Sequence, residues 1–141
     1  MKVRDIMTRQ VEVIPPDAPV QEAAEKMRVL DVGPLPVCDG DRLVGMVTDR
    51  DITVRATAEG RDPYSTKVRE VMSADVIYCF EDEDIERAAQ LMKDKQIRRL
   101  AVLDRNQRLV GIVSLGDLAV QTGNQQKAGE VLEDISQPGA P

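Results

Sequence analysis

With 141 residues, of which 42% are hydrophobic and 31% charged, the chain is too apolar for wholesale disorder and fits one compact domain or two small units sharing a core. A net charge of −6 speaks against a general nucleic-acid binder, whose affinity comes mostly from neutralising phosphates. The absence of His, with no Cys grouped with acidic residues, gives no sign of a metal site. No apolar run is long enough to cross a bilayer, and Met1-Lys2-Val3-Arg4-Asp5 leads into amphipathic sequence without the apolar stretch of a signal peptide, so a cytoplasmic protein with no membrane partner is expected.

From the N-terminus onward the chain repeats itself. Val3-Arg4-Asp5-Ile6-Met7-Thr8 lies over Val68-Arg69-Glu70-Val71-Met72-Ser73, and the match continues through Val11 over Val76, Asp17 over Asp82, Ala23-Ala24 over Ala88-Ala89, Met27 over Met92, Leu35 over Leu100 and Val37 over Val102. After one inserted residue near Asn106, Leu43-Val44-Gly45-Met46-Val47-Thr48 overlies Leu109-Val110-Gly111-Ile112-Val113-Ser114. This is a duplication, and it sets the fold.

Each copy opens with a short helical turn, followed by an alternating strand at Val11-Glu12-Val13 or Val76-Ile77-Tyr78. Asp17 or Asp82 then stands where an N-cap belongs. Val20, Ala23, Ala24 and Met27, like Ile85, Ala88, Ala89 and Met92, fall at i, i+3, i+4 and i+7, which predicts one apolar helix face. Two short strands follow, Leu35 to Cys38 and Leu43 to Thr48 in the first copy, joined by the turn signal Asp39-Gly40-Asp41 there and by Asp104-Arg105-Asn106-Gln107 in the second. A last helix starts after Thr48 or Ser114. The expected unit is β-α-β-β-α, of mixed α/β (α+β) class, and a three-stranded sheet with one apolar face cannot close a core alone. The units are expected at 1–58 and 68–122, with a linker over 59–67. The polar stretch 123–141 is expected to be a frayed tail, mobile from Ser136 to Pro141, although Val131, Leu132 and Ile135 could form a short amphipathic helix. One Phe, two Tyr and no Trp make the core aliphatic. Cys38 and Cys79 sit where the other copy has Leu103 and Ile14, so they read as small buried hydrophobes rather than a disulfide or reactive thiols.

Function concentrates in Gly45-Met46-Val47-Thr48-Asp49-Arg50-Asp51 and Gly111-Ile112-Val113-Ser114-Leu115-Gly116-Asp117. Thr/Ser-x-x-Asp at a strand-to-helix junction reads first as a capping box, contributing about 1 kcal/mol. The same junction can also bind phosphate at the helix N-terminus while the carboxylate accepts from ribose hydroxyls, and the glycine admits a ligand or a neighbouring backbone.

These segments, with the Met-Thr/Ser openings, the Glu22-Ala23-Ala24 and Arg87-Ala88-Ala89 helices ending in Met, and the Leu35-Pro36-Val37 and Leu100-Ala101-Val102 strands, resemble the CBS-domain family. Its units pair in tandem as Bateman modules, and the small stand-alone bacterial members, such as hypoxic response proteins, carry no attached enzyme. The resemblance implies two pseudo-symmetric units packed through their sheets, a homodimer, and clefts for an adenosine-containing ligand such as AMP or ATP, with no cofactor otherwise. It pairs Thr48, Arg50 and Asp51 with Ile77, Tyr78, Ile97, Arg98 and Arg99 in a favoured cleft. Ser114 and Asp117 pair with Glu12, Val13, Val32, Gly33 and Pro34 in a second, which lacks the basic pair. Catalysis is not expected, since there is no His for acid-base work, no Ser or Cys beside a plausible base and no Walker-type loop. A regulatory sensor is the leading reading, and a ligand-free interaction module, with both motifs as helix caps, is the alternative.

Overall fold

The computed structural model describes residues 1–122 and 125–136. The elements run α1 (Val20–Leu30), β1 (Pro34–Asp39), β2 (Arg42–Thr48), α2 (Asp49–Ile52, continued by a π-helical turn over Thr53–Thr57), β3 (Tyr78–Phe80), α3 (Ile85–Lys95), β4 (Arg99–Leu103), β5 (Leu109–Ser114), α4 (Leu115–Thr122) and α5 (Gln125–Ile135). By contact they form two compact units. One is Glu12–Val76; the other joins Met1–Val11 to the chain from Ile77 onward. The contact units therefore divide the chain differently from the repeat, because the opening turn of each copy packs with the body of the other.

In the unit Glu12–Val76, β1 and β2 form an antiparallel hairpin that turns at Gly40, with φ +64°, the left-handed region that glycine enters freely. Alongside it lies a single parallel bridge, Ile14 to Val37, in place of the strand expected at Val11–Val13. The cause is local. Ile14 N–H donates to Pro36 O and Cys38 N–H donates to Ile14 O, each at 3.0 Å, but Pro15 and Pro16 follow, and proline has no N–H to carry the ladder on. Phe80 and Glu81 take those places in the second copy, where Glu81 N–H donates to Leu103 O at 2.9 Å and β3 forms parallel to β4. Its strand starts at Tyr78, two residues beyond the Val76 expected. The core gathers Ile14, Val20, Ala23, Met27, Leu35, Val37 and Val47 with Val68 and Val71 of the next copy's opening turn.

The second unit repeats this plan with β3-β4-β5. Ala88, Ala89 and Met92 of α3 bury against Leu100, Val102 and Val113, with Val3, Ile6 and Met7 supplied by the chain's own opening turn. The N-caps fall later than the sequence suggested. α1 follows Pro19, and α3 is capped by Asp84, whose carboxylate accepts from Glu86 N–H at 3.1 Å. Asp17 instead pairs with Arg69, and Asp82 holds Arg105 by two bonds of 2.8 and 2.9 Å.

The expected frayed tail is, over Gln125–Ile135, a helix: Val131 and Ile135 of α5 are buried in this unit's core. The mobility expected of the terminal stretch falls, beyond Ser136, outside the described residues. No helix among the described residues is long and apolar enough to cross a membrane. Both cysteines are free and buried, and burial above all pushes the Cys38 thiol up to about 11 and the Cys79 thiol up to about 12.

Candidate functional site

The two motif glycines are explained by a neighbouring backbone. A Cβ on Gly45 would stand 2.6 Å from Met72 Sδ and 2.9 Å from Ser73 O, and one on Gly111 would stand 2.7 Å from Met7 Sδ and 2.8 Å from Thr8 O. Ser73 and Met46 exchange N–H···O bonds of 2.9 Å, and Thr8 and Ile112 exchange bonds of 2.8 and 3.0 Å. The Met-Thr/Ser opening of one copy thus lies on the Gly-containing strand of the other, and only glycine leaves room for it.

Both Thr/Ser-x-x-Asp segments are closed capping boxes. Asp51 N–H donates to Thr48 Oγ1 at 3.1 Å and Thr48 N–H to Asp51 Oδ2 at 3.0 Å. Asp117 N–H donates to Ser114 Oγ at 3.1 Å and Ser114 N–H to Asp117 Oδ2 at 2.8 Å. Each box uses one carboxylate oxygen and leaves Oδ1, which in Asp51 lies 4.0 Å from Arg55 Nε.

Around the second box opens a cleft of about 590 Å³ within one unit. Arg98 and Arg99 supply its cationic end, Ser114 and Gly116 its edge at the start of α4, and Leu115, Ala119 and Leu132 its apolar walls, with Gly129 on α5. The hairpin register explains the meeting: β4 begins at Arg99 directly opposite Ser114, where β5 ends. Leu115 N–H donates to Arg98 O at 2.9 Å, tying the arginine pair to the first turn of α4. Ile77 and Tyr78 enter the sheet at this same end, since β3 runs parallel to β4. Ile77 and Ile97 pack against the core, and Tyr78 is exposed.

Within this unit the structure brings Arg98 and Arg99 together with Ser114. Thr48, Arg50 and Asp51 belong to the other unit, where the matching junction is differently charged. Pro34 faces Thr48 across the hairpin, and Asp49 N–H donates to Gly33 O at 3.0 Å. A Cβ on Gly33 would lie 3.2 Å from Asp49 Oδ1, an atom that already accepts from Arg50 N–H at 2.9 Å. Asp49 stands where the second copy has Leu115, so here a carboxylate occupies the first helical turn. Of the remaining predicted residues, Val32 packs on this unit's core, Val13 O accepts from Lys26 Nζ at 2.8 Å, and Glu12 pairs with Lys26 at 3.7 Å.

Sequence reasoning missed Leu115, Gly116, Ala119, Gly129 and Leu132. The first three follow once Ser114 is placed at the helix start. The last two stand three apart on an amphipathic segment, the spacing of one helix face.

A tandem of such units, each with a Gly-strand running into a capped helix, is the arrangement of a known family. The CBS-domain family model matches residues 3–56 and 68–120, and the chain belongs to that family. It is 48% identical over 134 residues to the CBS domain-containing protein YhcV of Bacillus subtilis (strain 168), a match covering 95% of this chain and 94% of that one. Its fold is similar to that of Hypoxic Response Protein I crystallised with two coordinated zinc ions, at TM-score 0.77 and 37% identity over 86% of this chain and 98% of the other. It is also similar to CBSX2 in complex with AMP, at TM-score 0.74 and 29% identity over 89% and 98%. This chain has no His, and among its described residues no three His, Cys, Asp or Glu side chains gather closely enough to hold a metal ion.

Proposed function

We propose that this CBS pair is a regulatory module that binds an adenosine-containing nucleotide, AMP or ATP, in the cleft of Arg98, Arg99 and Ser114. The observation that carries the reading is the joining of a guanidinium pair and a helix N-terminus at one end of a single cleft to apolar walls at the other. Anionic phosphate suits the first and a flat purine the second. The capping bond orients Asp117, and its second oxygen serves the ribose hydroxyls. CBSX2, a structural relative, binds AMP.

The first copy does not offer the same site. Gly33-Pro34 replaces the arginine pair, and the Asp49 carboxylate both repels phosphate and takes the Arg50 N–H, while the second copy has the uncharged Leu115 in the place of Asp49. One phosphate-binding cleft per chain is the consequence. The output we propose is association with a second copy. Its support is the pair Val54 and Val120, equivalent in the repeat and both exposed on the helices that follow β2 and β5.

Thermal-shift measurement against AMP, ADP, ATP, NAD and S-adenosylmethionine tests this. A ligand at about 100 times its Kd should add roughly 2.7 kcal/mol of stability. Arg99→Ala should weaken binding about tenfold or more while leaving the melting temperature of the free protein unchanged, and sedimentation with and without the ligand should reveal a changed association state. The closed capping boxes favour a second reading, a ligand-free interaction module. On that reading no compound moves the melting temperature, and Asp117→Ala lowers stability by about 1 kcal/mol and alters nothing else.

A further inference from the structure

Helix α5 begins beyond both family matches, the second of which ends at residue 120, yet it reaches the cleft through Gly129 and Leu132. Its place is fixed from behind. Val131 and Ile135 are buried in the core, Gln96 Nε2 donates to Asp134 O at 3.0 Å, and Lys93 Nζ pairs with Asp134 at 3.4 Å.

Within this helix Gly129 is out of character. Glycine in a helix interior is less favourable than alanine, so a glycine there needs a reason. Backbone conformation gives none, because Gly129 is not among the residues of positive φ. Packing gives none either, because among the described residues a Cβ at this position would meet nothing within 4 Å. Gly45 and Gly111 are each forced by a neighbour closer than 3 Å; Gly129 is forced by nothing among the described residues and borders the cleft.

We infer that α5 is a wall of the ligand cleft and that Gly129 is a specificity-determining position, kept free of a side chain so that the flat apolar part of the ligand can lie between Leu132 on one side and Leu115 and Ala119 on the other. The inference rests on the nucleotide reading of the same cleft and goes beyond it in assigning recognition of the base to a helix outside the repeat. Side-chain size at 129 then sets what the cleft admits. Alanine narrows it, and leucine fills it.

Isothermal titration of the full chain with AMP and with ATP tests this on Gly129→Leu, Gly129→Ala, Leu132→Gln and Arg99→Ala. Gly129→Leu should raise Kd tenfold or more, with Gly129→Ala between it and the parent and Leu132→Gln several-fold weaker than the parent. The melting temperature of free Gly129→Leu should equal or exceed the parent's, since leucine is the better helix former. If it falls instead, Gly129→Ala and Leu132→Gln become the deciding variants, and unchanged Kd in both overturns the inference. Binding that Arg99→Ala abolishes and Gly129→Leu leaves intact overturns the inference while the nucleotide reading stands. A parent chain that binds neither nucleotide overturns both.

Discussion

Gly45 shows how one residue type can satisfy two opposed expectations. A glycine before a strand-to-helix junction is compatible with a ligand's approach and with a backbone's, and here the backbone of Ser73 takes the space. Alanine at 45 would set a Cβ 2.9 Å from Ser73 O as well as 2.6 Å from Met72 Sδ. The methionine can swing aside, but the carbonyl is held by Met46 N–H at 2.9 Å. Gly45→Ala should therefore cost about 1–3 kcal/mol in urea unfolding, and adding Met72→Ala should not restore the loss. A double variant with parental stability would show that the sulfur alone enforces the glycine. The repeat made these glycines visible and left both reasons open; which of the two holds was not legible, because the segment that requires them lies far off in sequence.

Among the elements, the helices of the two copies and the β1–β2 and β4–β5 hairpins were legible because their signals are local: apolar spacing on one face, and turn residues between alternating runs. The misses were equally local in cause. Asp17 and Asp82 look like caps, but the cap belongs to the residue whose backbone stands one place before the first helical turn, and that is Pro19 or Asp84. The β4–β5 turn carries a consequence that can be measured. Asp104 is largely buried and accepts from Asn106 N–H at 2.9 Å, Arg108 N–H at 3.0 Å and Arg108 Nε at 2.9 Å. These bonds, that from the Arg108 backbone first, hold its carboxyl below the usual carboxylate value. A carboxylate with a depressed folded-state pKa stabilises the fold above its unfolded value, about 4, and loses that contribution as pH falls through the folded value. The melting temperature should therefore decline on acidification below about pH 4. The decline should be shallower in Asp104→Asn, with Glu70 and Asp82, also held low by arginine and backbone partners, accounting for the remainder. Identical pH profiles for the two proteins would remove Asp104 from the explanation.

At the scale of the whole chain, the partition by contact and the partition by repeat make different predictions about what can fold alone. Repeat boundaries suggest cutting in the linker, giving 1–58. That fragment loses Val68 and Val71, both fully buried in the core of the first copy's unit. It also loses the backbone bonds from Val68 N–H to Ala18 O and from Arg69 N–H to Pro16 O, each 2.9 Å. It keeps Val3, Ile6 and Met7, whose burial sites lie in the other unit. The fragment 12–76 keeps every one of those contacts. Burying a Val side chain is worth roughly 1.5–3 kcal/mol, and a piece of about 60 residues has little stability to spare. Two such losses are enough to separate the fragments. In thermal unfolding followed by circular dichroism, 12–76 should show a cooperative transition and 1–58 a broad or absent one. An equal or sharper transition for 1–58 would mean that the opening turn of the second copy contributes nothing to the first unit's stability. The exchange of opening turns would then be a feature of geometry without energetic weight.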